Sequence, residues 1–207
     1  MFSHRVNEHT EMRPIDRQQG LPLFRLLDAN RAYLQRWHPW VANMRSVADV
    51  EKMIALWQQQ HLLSRLLHCA IWHQGQFCGM INHLSVDWSN RSSILTYWLD
   101  EAHQGKGIMT ACCRAMIIHA FQTWKLNRIT IECATENTRS RAIPERLGFK
   151  LEGIARQVEW LHDHFADHAI YGLLATDYHN GRLQESLELD ELKRDLDRVS
   201  ASLSMTC

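Results

Sequence analysis

The chain has 207 residues, 45% of them hydrophobic and 22% charged, an ordinary globular composition that excludes a wholly disordered polypeptide. Its 23 Lys+Arg balance 23 Asp+Glu to a formal charge of +0, so it lacks the basic excess of a protein that coats nucleic acid. No run reaches the roughly 18 apolar residues of a membrane span, and residues 1–13 hold no signal-type apolar core, so a cytoplasmic protein without membrane or direct nucleic-acid partners is expected.

Residues 11–15 predict a short first strand that Pro14 confines to an edge or strand end. Gln18 to Trp37 reads as helix, interrupted early by Pro22. Trp37-His38-Pro39-Trp40 breaks it, because the residue before a proline disfavours helix. Val47 to Leu63 is a second helical stretch. Strands over 68–73 and 76–85 follow, joined by the hairpin signal Gln74-Gly75, and a third over 94–99 comes after a polar turn. From Met109 the apolar positions are Met109, Cys112, Cys113, Met116, Ile117, Ala120, Phe121 and Trp124, one face of a helix. Ile129, Ile131 and Cys133 then alternate with Arg128, Thr130 and Glu132, which predicts a strand. Strand, helix and strand make a crossover unit, so 94–99 and 128–134 should be parallel.

Asn137 to Arg146 predicts a short helix stopped by Leu147-Gly148. Pro144 within it is expected only near a first turn, which limits where the helix can begin. Residues 149–160 and 165–175 form a closing antiparallel pair. In the tail, Leu189, Leu192, Leu196, Val199 and Leu203 make a short heptad-like stripe, expected to dock on the body or on a second subunit, which makes a homodimer plausible. The division expected is a domain over 1–178 and a helical tail over 179–207.

The six cysteines, Cys69, Cys78, Cys112, Cys113, Cys133 and Cys207, contain no CxxC pair and most sit among apolar neighbours, so they read as reduced core residues. None is placed to serve as a covalent relay, and Cys112 and Cys113 face the core. His162, His164 and His168 with Asp163 and Asp167 make a metal site conceivable, but a solvated hairpin is the preferred reading and no metal is expected.

The segment Asp100 to Thr110 joins a strand to the start of the long helix. Gly105 and Gly107 permit a tight turn and close approach of a ligand. The first helical amides lack partners, and with the helix dipole and Lys106 they form an anion site suited to a diphosphate. A ligand-free glycine turn is the plain alternative. GxxxxGK[ST] is absent, and Thr110 stands where a third glycine of GxGxxG would be.

Tyr97-Trp98-Leu99, Gln104-Gly105-Lys106-Gly107-Ile108-Met109-Thr110, Asn137-Thr138-Arg139-Ser140 and Leu147-Gly148-Phe149, in this order and spacing, resemble the GNAT acetyltransferases, specifically the RimJ/RimL type of protein N-terminal acetyltransferase. The resemblance covers residues 10–178. It departs at Ile94, where relatives often carry Glu. It implies an α/β (α+β) fold with a mixed, mostly antiparallel sheet splayed at its central parallel pair. It implies acetyl-CoA as co-substrate, its diphosphate held by Gln104, Gly105, Lys106, Gly107, Ile108, Met109 and Thr110, and its pantetheine arm by Trp98, Leu99 and Asn137.

Acetyl transfer to an amine needs a neutral attacking nitrogen, a stabilised oxyanion and a protonated leaving thiol. On the resemblance, Ser140 is the candidate acid beside the coenzyme sulfur, against an ordinary role as a capping serine. Glu159 is the candidate base, against an exposed salt-bridge role. Trp37, Trp40 and Trp160 are candidates to line the acceptor pocket, against plain core packing. Direct transfer in a ternary complex is expected. The acceptor implied is the N-terminal Ser or Ala of a ribosomal protein; a small amine (aminoacyl-nucleotide, amino sugar or antibiotic) is the alternative. A coenzyme-A-binding module without turnover is the third reading.

Overall fold

The protein's structure, a computed structural model, describes residues 4–64 and 67–180, so the leucine stripe of the tail lies outside the described residues. Among the described residues eight strands build one sheet: β1 (His4–Arg5), β2 (Thr10–Pro14), β3 (Leu67–His73), β4 (Gln76–Asp87), β5 (Ser92–Leu99), β6 (Arg128–Ala134), β7 (Lys150–Leu161) and β8 (His164–Leu174). Their order is β1-β2-β3-β4-β5-β6-β8-β7. Every neighbouring pair is antiparallel except β5 and β6, which the crossover makes parallel. The helices are α1 (Gly20–Ala29), α2 (Arg31–Gln35), α3 (Val47–Ser64), α4 (Ile108–Ile118), α5 (Thr138–Arg146) and α6 (Ala175–Asn180).

Period-two alternation gives each inner strand two apolar faces, and helices cover both. On one face Cys69, Ile71, Ile81, Leu95, Ile129, Ile131 and Tyr171 pack against the apolar stripe of α4. That stripe is buried as its spacing predicts, from Met109 through Phe121. After a π-helical turn over His119–Thr123, Trp124 is partly buried against the same core, its ring meeting His83, Trp88 and His119. On the other face Ala70, Met80 and Trp98 pack against Leu23, Leu27, Val50 and Ile54 from α1 and α3.

Three local features differ from the sequence expectation. The helix expected over 18–37 is interrupted at Asn30 and not at Pro22. Pro22 lies in the first turn of α1, where a missing N–H costs nothing. Asn30 instead spends its side chain on two jobs: its Nδ2 donates to the Leu26 carbonyl, and its Oδ1 accepts the Glu101 N–H at 3.2 Å. The third difference is Pro144, which stands in the last turn of α5 and not near its first. Proline has no N–H, so the carbonyl of Ser140, four residues earlier, loses its helical donor. The Tyr97 hydroxyl of β5 donates to that carbonyl at 3.1 Å and makes the position tolerable.

Candidate functional site

The parallel pairing of β5 and β6 is brief. Ser92, Ser93 and Ile94 sit opposite Arg128, Ile129 and Thr130, and the register ends there. Beyond Ile94 the strands part, and a cavity of about 1390 Å³ passes between them. It runs from the Gln104–Thr110 loop, along Tyr97, Trp98 and Leu99 on one wall and Cys133 and Ala134 on the other, to a chamber beneath α2 and α3.

At the loop end, Gly107 caps α4 with φ of 76° and Gly105 has φ of 72°, a left-handed conformation that favours glycine. A Cβ at either would meet no protein atom within 4 Å, so both backbones face open cavity. The first bond of α4 runs from Ala111 N–H to the Gly107 carbonyl, leaving the preceding amides aimed out of the helix start. The loop is braced from three sides. Asp100, 7% exposed, accepts the His103 N–H and the His103 ring at 2.8 Å. Gln104 donates through its amide to the Tyr33 hydroxyl and accepts Arg139 Nη1 at 2.6 Å. The first residue of the signature is thus a strap joining α2, the loop and α5. Lys106 is exposed beside it, and Arg139 and Arg146 line the same end. A doubly charged diphosphate fits this combination of free amides, helix dipole and cations.

At the seam, Asn137 caps α5 by accepting the Ser140 N–H at 3.1 Å, so the capping role weighed for Ser140 falls to Asn137. The Asn137 amide N–H groups remain as donors toward the cavity it lines. The Ser140 side chain sits close enough to the Cys133 thiol to act against the upward push of burial on its pKa, and both line the cavity. Cys133 lines it from the stretch of β6 past Thr130 where pairing with β5 has ended, a position to which the sequence alone assigns no role. Burial pushes its thiol pKa up, so it is a poor nucleophile at neutral pH. Cys69, Cys78, Cys112 and Cys113 are buried, as their neighbours predicted, and Cys207 lies outside the described residues.

In the chamber, Trp37 and Trp40 line the cavity together with Trp57, His38 and His68. Trp37 packs on Ala134, Leu161 and Ala166, reaching from the α2 connection to the far half of the sheet. Burial lowers the His38 pKa to about 4 and keeps that ring neutral. Glu159 enters from β7. A bulge over 156–158 aims it, with Gln157 at φ of 54° and its N–H held by Asp167 at 2.8 Å. Its carboxylate accepts from His168 Nε2 of β8 at 3.0 Å. Trp160 does not join this set. It lies on the opposite face of β7, 53% exposed, edge-on to Phe165, and does not line the cavity. Among the described residues no three His, Cys, Asp or Glu approach closely enough to hold a metal ion.

Several cavity residues escaped sequence reasoning. Tyr33, Asn82, Glu132 and His168 all line it or brace it. No local motif marks them, because strand register and helix docking bring them there from distant stretches of chain. The sequence groups His168 with the hairpin histidines, whereas in the sheet it stands opposite Ala155 and the bulge that follows brings Glu159 to within 3.0 Å of it.

Comparison with known proteins accords with this geometry. Residues 9–150 match the family model described as Acetyltransferase (GNAT) domain. The chain is 35% identical over 180 residues to the putative ribosomal N-acetyltransferase YdaF of Bacillus subtilis, covering 86% of this chain and 98% of that protein. It is 30% identical over 167 residues to the ribosomal-protein-serine acetyltransferase of Escherichia coli, covering 81% of this chain and 93% of that protein. Among solved structures, RimL, a ribosomal L7/L12 alpha-N-protein acetyltransferase in complex with coenzyme A, superposes with a TM-score of 0.81 at 26% identity, over 84% of this chain and 98% of that one; its coenzyme is joined by a disulfide to a cysteine. The split sheet, the glycine loop over α4 and these relatives converge: the chain belongs to the GNAT family and is an N-acetyltransferase that uses acetyl-CoA.

Proposed function

We propose that the enzyme acetylates the N-terminal amine of a ribosomal protein, by direct transfer while both substrates are bound. The observation that carries this reading is the continuity of one cavity from the diphosphate loop, through the open seam, to a chamber holding Glu159. Substrates entering from the two sides meet at the seam, so no enzyme-bound acetyl group is required, and the raised thiol pKa of Cys133 argues against one. Acetyl-CoA supplies the activated acetyl group and a thiol leaving group. The amides of residues 104–110 with Lys106 hold its diphosphate. The β6-facing edge of Trp98 and Leu99, past the last paired residue, receives its arm as a strand would be received.

Glu159 takes a proton from the incoming ammonium, and His168 orients the carboxylate through their 3.0 Å bond. An α-amine has a pKa near 8 in water, so a carboxylate held at the nitrogen suffices as acceptor. The N–C bond forms and the C–S bond breaks; the Ser140 hydroxyl gives its proton to the departing sulfur and regains one from the acylated nitrogen, leaving the neutral amide and the free thiol. The acidic side chains of Glu132 and Glu159 on the chamber wall favour a cationic chain terminus. Trp37, Trp40 and Trp57 favour a second acceptor class, a small amine carrying a planar ring. Free-thiol release decides between them. Peptides beginning with Ser or Ala should release thiol faster than aminoacyl-nucleotides, amino sugars or aromatic drugs. Release with a ring-bearing amine alone would overturn the ribosomal reading.

A further inference from the structure

On the chamber face of the sheet, one row of side chains breaks the apolar pattern. His68 of β3 stands opposite Asn82 of β4, and Asn82 stands opposite Thr96 of β5. All three line the cavity. The neighbouring row on this face, Ala70–Met80–Trp98, belongs to the apolar core, and Leu84 and Ile94 line the cavity on the other side. His68 is stacked on Trp57 at 4.6 Å with the rings nearly parallel. Asn82 is 9% exposed, and its Oδ1 is buried without a hydrogen-bond partner. An orphaned buried acceptor is costly, and a fold retains one chiefly where another molecule completes it. Thr96 lies two residues past Ile94, the last residue of β5 that pairs with β6, so the row points at the first open stretch of the seam.

Resting on the reading of amine acetylation above, we propose that Asn82 Oδ1 accepts an N–H of the incoming amine, and that the His68–Asn82–Thr96 row orients the attacking nitrogen. The logic is donor counting. An ammonium carries three N–H groups; Glu159, on the far half of the sheet, removes one proton. A second N–H held by Asn82, on the near half, then fixes where the freed lone pair points. The carbonyl of an asparagine suits this task because it accepts without competing for the proton. Neutral Asn82 leaves proton removal to Glu159.

Asn82→Leu removes the acceptor at similar volume, and Asn82→Asp keeps it. With Asn82→Leu, kcat/KM for the peptide acceptor should fall about tenfold to a hundredfold, while coenzyme A affinity by calorimetry stays unchanged. The same substitution should raise Tm, because it removes an unsatisfied buried oxygen that only the bound amine completes. Asn82→Asp should recover part of the lost kcat/KM and shift its pH profile, because the carboxylate accepts the N–H but also competes for the proton. Wild-type acceptor kinetics in Asn82→Leu, or an equal loss in Asn82→Asp, overturns the proposal. If Asn82→Leu fails to fold, Asn82→Ala carries the same comparison. Failure of the underlying reading looks different: wild-type protein would then bind coenzyme A yet release no thiol with any amine.

Discussion

The contact between Tyr97 and Ser140 gives a quantitative test of how the site is held. Pro144 deprives the Ser140 carbonyl of its helical donor, and the Tyr97 hydroxyl replaces it at 3.1 Å. Burial drives the Tyr97 pKa far up, so the hydroxyl stays a donor throughout any working pH. Tyr97→Phe leaves a part-buried carbonyl unsatisfied, which costs about 2 kcal/mol. For a chain of this size that lowers Tm by roughly 4–8 °C. With Pro144→Ala in the background, the backbone N–H regained at position 144 can close on the same carbonyl. The cost of Tyr97→Phe should then shrink to about 0.5 kcal/mol, a coupling of about 1.5 kcal/mol between the two sites. Urea denaturation of the four proteins measures it, and the cycle cancels the change in unfolded-chain freedom that Pro144→Ala brings by itself. An equal cost of Tyr97→Phe in both backgrounds would refute the compensation.

Glu159→Gln should lower kcat about a hundredfold with coenzyme A binding retained, and should alter the pH–rate profile; an unchanged profile removes Glu159 from proton transfer. Lys106→Glu should weaken coenzyme A binding by about tenfold at low salt, with a smaller loss at about 0.5 M salt, and a salt-independent loss would contradict the electrostatic role. His83 is fully buried, bonded through Nδ1 to Ser93 at 2.9 Å, and burial lowers its pKa to about 4. Because that lies below the unfolded value near 6.5, the unfolded chain gains the proton first, so stability falls as pH drops from about 6.5 to about 4, by up to about 1.4 kcal/mol per pH unit. His83→Asn should flatten the fall measured by denaturation at pH 5 to 6 (roughly mid-window), and an identical slope would exclude His83 as its source.

The order of elements was legible because local periodicity encodes which face of a helix or strand is apolar. The α4 stripe and the alternation of Ile129, Ile131 and Cys133 needed nothing beyond neighbouring residues. The loop from Gln104 to Thr110 was equally local. What depended on register was not legible. Nothing near Ile94 says that pairing with β6 stops there, and nothing near Glu159 names His168. Trp160 shows the converse: alternation already sends adjacent Glu159 and Trp160 to opposite faces, so the period-two rule could have kept that tryptophan out of the chamber. The break at Asn30 and the placement of Pro144 turn on single tertiary hydrogen bonds, which propensity cannot foresee.

Three residue pairs stitch the two wings of the sheet along their shared border. The fold therefore gives up lateral ties at its own centre, and the helix beneath serves as a keel, with Ile108, Cys112 and Met116 in one apolar mass with Leu95 and Leu99 on one wing and Ile131 on the other. A change that zipped the border further would stiffen the molecule and close the door through which we expect its chemistry to pass. Robustness and turnover pull in opposite directions at that border, so thermal hardening of this enzyme belongs in the keel.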